Sequence, residues 1–162
     1  MTADLYEHQR FTPGEMLELT GVAERRLQVW IQWGFVPRPE RPGRGFHRAY
    51  SLAEILYLRY MRTLTEANVP LDQAAFYASA LFPALTGQVP LEVSEIVSAS
   101  GRPDRAPRLF QVFRDGEPPE LLKWKAIQPG QERTLILDLT HVIMITVNGA
   151  KAILDRRSTV AK

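Results

Sequence analysis

The chain has 162 residues, of which 45% are hydrophobic and 23% charged, with a formal net charge of +2. That is the composition of an ordinary soluble globular protein able to bury a core. It contains no cysteine, which excludes disulfides, thiolate metal sites and a catalytic thiol and agrees with a reducing cytoplasm. No run reaches membrane-spanning length, and Met1 to Arg10 is polar and carries acids, so neither a transmembrane helix nor a secretory signal is expected and the location expected is cytoplasmic.

Residues 1–10 read as a flexible N-terminus. Thr12-Pro13-Gly14-Glu15 then sets a hydroxyl N-cap, a proline at the first helical position and a glutamate at the capping-box position, so a helix begins at Pro13. Thr20-Gly21 ends it after about two turns. A second short helix, over about residues 23–33, follows the Gly21 turn, and Leu17, Leu19, Val22, Leu27 and Ile31 are spaced to pack the two together. This is the pattern of a helix-turn-helix, with the second helix as the reading helix.

After Gly34, residues 37–50 are dense in proline, glycine and arginine, and Pro42-Gly43 with Gly45 predicts a turn at the tip of an extended ribbon. Such a ribbon is a wing. Between residues 25 and 62, arginines 25, 26, 38, 41, 44, 48, 59 and 62 are opposed only by Glu40 and Glu54. The modest total charge therefore conceals a strongly basic stretch, rich in the side chain best shaped for phosphates and guanine edges.

Ser51-Leu52-Ala53-Glu54 is a second capping box, and Leu52, Ile55, Leu56, Tyr60 and Leu64 predict a helix to about Ala67. Asn68-Val69-Pro70 interrupts it, and a further helix from Leu71 stops near Pro83. The helix-turn-helix domain is thus expected over 11–83. Residues 84–107, with scattered glycine and proline, form a connecting segment with a short helix over Leu91 to Ser98.

Beyond it, Leu109 to Arg114, Leu121 to Ile127 and Arg133 to Leu139 read as strands of a small antiparallel sheet, with Asp115-Gly116 as a tight turn. His141 to Val147 with Asn148-Gly149 fits a hairpin, yet Ile143, Val147, Ala150 and Leu154 share a helical face. A helix covering the sheet is preferred, with Arg156 to Lys162 as a frayed tail. The fold class expected is α+β: a winged helix-turn-helix followed by a small C-terminal antiparallel β-sheet module, over 108–156, with a final helix.

The N-terminal part resembles the winged DNA-binding domain of the MerR family of transcriptional regulators. The likeness runs from Phe11 to about Ala78 through Phe11-Thr12-Pro13-Gly14-Glu15, Leu19-Thr20-Gly21-Val22, Arg25, Leu27, Gly34-Phe35-Val36-Pro37 and Gly45-Phe46-His47-Arg48-Ala49-Tyr50-Ser51. Where the family has two aromatic residues followed by acid and arginine, this chain has Val29-Trp30-Ile31-Gln32, a departure that bears on the target sequence more than on the fold. The second half departs from the family plan, since no heptad run follows Leu71 to build the long coiled coil through which members pair. The cysteine-based metal and oxidant sensors of the family cannot be the pattern here.

The resemblance implies a sequence-specific DNA-binding transcriptional regulator working as a homodimer on an inverted repeat. Its DNA-contacting candidates are Arg25, Arg26, Gln28 and Trp30 in the reading helix and Arg41, Arg44, Phe46 and Arg48 in the wing. Arg25 and Arg26 open the helix where side chains reach bases or phosphates. Gln28 and Gln32 stand one turn apart and can read adenine. Trp30 takes the position of an aromatic residue that touches the DNA backbone in the family; Arg44, Phe46 and Arg48 fall on the segment that meets phosphates and the minor groove. The plainer readings are solvated charge for the arginines, exposed polar filler for the glutamines and core for Trp30.

His8, His47 and His141 lack metal-ligand spacing, and no phosphate loop, nucleophile elbow or HExxH pattern occurs. No enzyme activity, metal or cofactor is expected. The partners expected are double-stranded DNA and a second copy, with RNA polymerase or another protein as a candidate for the C-terminal module. Two other classes fit the same residues: an excisionase-like architectural protein that bends DNA, and an antitoxin-like adaptor whose C-terminal part binds a protein.

Overall fold

The computed structural model describes residues 9–36, 49–82, 109–114, 120–123 and 134–160. Helix α1, Pro13–Thr20, starts as its sequence dictates: the Thr12 hydroxyl accepts from the Glu15 amide at 3.3 Å, and the Glu15 carboxylate accepts from the Thr12 amide at 2.7 Å. Two of the otherwise orphaned N-terminal donors are thereby satisfied. Gly21 ends the helix with φ 63°, and its amide donates to the Leu17 carbonyl at 2.8 Å. The buried Thr20 hydroxyl donates to Met16 O at 2.8 Å and accepts from Val22 N at 3.2 Å, locking the turn that launches helix α2, Glu24–Gln32.

Helix α3, Leu52–Glu66, begins with the matching box at Ser51 and Glu54, with bonds of 2.8 and 3.2 Å. Leu52, Ile55, Leu56, Tyr60, Met61 and Leu64 are fully buried along it. Asn68, at φ 63°, turns the chain into helix α4, Leu71–Leu81. Before α3 the backbones of Phe11 and Tyr50 form an isolated antiparallel bridge, and from α3 the Tyr57 hydroxyl donates to Phe35 O at 2.7 Å. These two links hold both ends of the segment predicted as the wing. Residues 37–48 themselves, and with them Arg41, Arg44, Phe46 and Arg48, lie outside the described residues, as does the whole connecting segment 84–107 with the short helix expected over Leu91 to Ser98.

Strands β1, Leu109–Arg114, β2, Glu120–Lys123, and β3, Thr134–Asp138, pair antiparallel in the order β2-β1-β3, with Val112 opposite Glu120 on one side and Ile136 on the other. Helix α5, Leu139–Val160, follows directly; the Asp138 carboxylate accepts from the His141 amide at 3.0 Å and caps it.

The expected fold class needs correction here. Among the described residues five helices of 8, 9, 15, 11 and 22 residues dominate three strands of 6, 4 and 5, and the C-terminal part is not a β-sheet module beside a helical domain. Instead α5 contacts β1 and also packs on α1 and α3, so that Leu139, Ile143, Met144, Val147, Ala150 and Ile153 share one core with Phe11, Met16, Leu19 and the buried face of α3. The physical reason is the width of its apolar face. Residues 142–144, 146 and 147 are all buried, which is more than a helix lying on the surface of a small sheet would cover. Burial of each large apolar side chain is worth roughly 1.5–3 kcal/mol, so docking α5 into the helical core outweighs any single surface contact. The helix also runs past the expected end, through Arg156 to Val160.

Gly149 serves this docking. A Cβ there would stand 2.8 Å from Cδ2 of Leu19, so α5 approaches α1 as closely as it does because the side chain is missing. Asn148-Gly149, which as a dipeptide signals a hairpin, lies inside the helix.

Candidate nucleic-acid interface

Helix α2 is amphipathic in a simple way. Leu27 and Trp30 are buried and seat it on the core, while Glu24, Arg25, Arg26, Gln28 and Gln32 are exposed. With about 3.6 residues per turn, Gln28, Gln32, Arg25 and Arg26 fall along one arc opposite Leu27. The arc offers two guanidinium forks and two amides, groups able to bond phosphates, guanine and adenine. No side-chain hydrogen bond caps its first turn at Ala23.

Trp30 and Trp33, the tryptophans of this region, part company. Trp30 is 3% exposed, and its carbonyl accepts the amides of Phe35 and Val36 at 3.0 and 3.3 Å, so its ring belongs to the core and does not lie on the exposed arc. Trp33, at the C-cap of α2, is 63% exposed. The signal that could have found it is its place just before Gly34, which has φ 80°, seven residues after Arg26 and so on the same side of the helix.

Arg59 and Arg62 enter the basic count without standing on this surface. Both donate to the C-terminal end of α1: Arg59 to Leu19 O, and Arg62 Nη1 to Thr20 O at 3.2 Å, while Arg62 Nε also pairs with Glu66 at 2.7 Å. Cations there satisfy orphaned carbonyls and oppose the negative end of the helix dipole. Burial and the neighbouring Arg62 lower the pKa of Arg59. Of the eight arginines between residues 25 and 62, these two hold α1 in place.

At the far side of α1, Arg157 of α5 binds Glu15 through two nitrogens, one at 2.9 Å, and donates to Arg10 O at 3.0 Å; Arg156 pairs with Glu18 at 2.8 Å. Arg157 and the Thr12 bonds hold the Glu15 carboxyl down to about 2, against a desolvation that pushes the other way. These groups line a shallow depression with Ile153 and Val160. Among the described residues no cluster of histidine, aspartate and glutamate could hold a metal ion, and no helix is long and apolar enough to cross a membrane.

This arrangement, a capped α1, a glycine turn, an exposed basic α2 and the Phe11–Tyr50 bridge, is that of a helix-turn-helix domain. Residues 11–81 match the family described as MerR HTH family regulatory protein. That segment is a MerR-type helix-turn-helix domain, the domain of a DNA-binding family of transcriptional regulators. No curated protein matches the chain.

Proposed function

We propose that the protein is a sequence-specific transcriptional regulator that inserts α2 into the major groove and lays residues 38–50 against phosphates and the adjoining minor groove. The single observation that carries this is the exposed arc of Arg25, Arg26, Gln28 and Gln32 on a helix held from behind by Leu27 and Trp30, within the MerR-type segment. Arg25 and Arg26 supply phosphate and guanine contacts, and Gln28 and Gln32 read adenine. Arg41, Arg44, Phe46 and Arg48 supply the wing contacts. Trp30 serves the site by seating α2 on the core.

A single small domain buries limited DNA surface, so the working unit is a homodimer on an inverted repeat, where two reading helices supply affinity and spacing. No catalysis and no cofactor belong to this function, and its place is the cytoplasm, where the DNA is. The test is genome-wide capture of bound DNA followed by titration of the wild type and an Arg25→Ala, Arg44→Ala double variant on a recovered site at two salt concentrations. A palindromic promoter site, with the double variant weakened by about 1–3 kcal/mol per arginine and a shallower salt slope, supports the reading. Diffuse, salt-sensitive binding that the substitutions leave unchanged overturns it.

A further inference from the structure

Arg157 makes contacts that reach beyond an ordinary surface ion pair. Its guanidinium binds Glu15, the acid that closes the α1 capping box, donates to Arg10 O at 3.0 Å, and lies 5.6 Å from the centre of the Phe11 ring. Phe11 is the residue whose amide and carbonyl both bond Tyr50, each at 2.8 Å. Tyr50 closes the segment that starts after Val36. One side chain of α5 is therefore in contact with three consecutive features beside the end of the segment expected to form the wing: the residue before the bridge, the bridge residue and the helix cap after it.

We infer that Arg157 is a positioning residue for the wing, acting through the Phe11–Tyr50 bridge, so that docking of the C-terminal helix sets how the wing meets DNA. Arg156, its neighbour, makes a different kind of contact. Among the described residues it pairs with Glu18, further along α1, and both partners are more than half exposed. A surface pair of that sort adds little, whereas a planar fork with two carboxylate bonds, a carbonyl and an aromatic face fixes an orientation. The cation over the ring face is the element that a plain ion pair lacks. Burial of Ile143, Val147 and Ile153 holds α5 on the core; Arg157 passes that placement on to Phe11.

The consequence for DNA rests on the proposed DNA-binding function, but the mechanical part does not, and the experiment separates them. Hydrogen exchange of the Phe11 and Tyr50 amides is measured in the free full-length protein for the wild type, Arg157→Gln, Arg157→Lys and Arg156→Gln, with the thermal midpoint of each. Arg157→Gln is expected to speed exchange at both amides by about tenfold, while Arg156→Gln, with the same loss of charge, leaves them within about twofold. Arg157→Lys, which keeps the cation over the ring and loses the fork, falls between. Equal exchange in Arg157→Gln and Arg156→Gln overturns the inference, as does faster exchange spread evenly over the core amides, which would report general destabilisation.

On a recovered site, Arg157→Gln is expected to weaken binding by about three- to tenfold with the salt slope unchanged, since no phosphate contact is removed. A slope that falls with the affinity would mean that Arg157 touches DNA itself and would overturn the positioning role. Absence of any DNA site for the wild type overturns the proposed function and leaves the exchange result standing.

Discussion

A Cβ built on Gly21 would stand 1.8 Å from Nη1 of Arg62. The turn of the helix-turn-helix and the third helix are thus fitted to each other at one point, where the guanidinium reaches over the glycine to bond Thr20 O. Gly21→Ala is expected to suffer twice, from the left-handed φ of 63° and from displacing Arg62. The backbone part alone costs roughly 1–2 kcal/mol. Chemical denaturation of Gly21→Ala and of Gly21→Ala, Arg62→Ala separates the two: the double variant recovers the steric part and keeps the backbone part.

Glu15 gives a pH dependence with a definite sign. Its folded carboxyl sits at about 2 against an ordinary 4.5, chiefly because of the Arg157 bond. A depressed acid contributes stability that is complete above its unfolded value and is lost as pH falls towards the folded one. The thermal midpoint of the wild type should therefore fall more than that of Glu15→Gln between pH 4.5 and about 2. Parallel curves through that window would show that the Arg157 pair contributes nothing to folding.

Tyr57 is expected to tolerate phenylalanine poorly. Its hydroxyl bonds Phe35 O at 2.7 Å, and burial pushes it up to about 12. Removing it leaves a carbonyl without this partner at a cost of about 1 kcal/mol. Because Phe35 leads into residues 37–48, Tyr57→Phe should also weaken DNA binding, measured by anisotropy, without changing contacts on α2.

Gly149→Val should loosen α5 from α1. The new side chain meets Leu19 where a Cβ is already 2.8 Å away, and overpacking of this kind costs roughly 1–3 kcal/mol. Gly149→Val, Leu19→Ala, which opens the space, should recover part of the loss in denaturant midpoint.

The helical frame was legible where a local device writes it. Thr12 with Glu15, and Ser51 with Glu54, announce helix starts through side-chain bonds made within four residues, and Gly21 announces a stop through a backbone angle. The exposed arginines and glutamines of α2 could be read because Leu27 fixes the phase of the helix. What did not follow from sequence depended on distant partners. Arg59 and Arg62 counted as part of a basic surface until the carbonyls of Leu19 and Thr20 claimed them. The fold class was misjudged for the same reason: the helix preferred over His141 to Leu154 is present, but its packing on α1 and α3, far away in sequence, makes it part of the helical core and not the cover of a separate sheet module.

The docking of α5 beside α1 has a consequence for how the chain is made. Arg157 and Glu15 are 142 positions apart, and the apolar face of α1 is covered by residues synthesised long after it. At about 5–20 residues per second the reading domain waits on the order of ten seconds on the ribosome with that face uncovered. The helix-turn-helix emerges well before α5 arrives to complete its core, so the nascent domain is a natural client for a chaperone, and slow translation of α5 would lengthen its exposure.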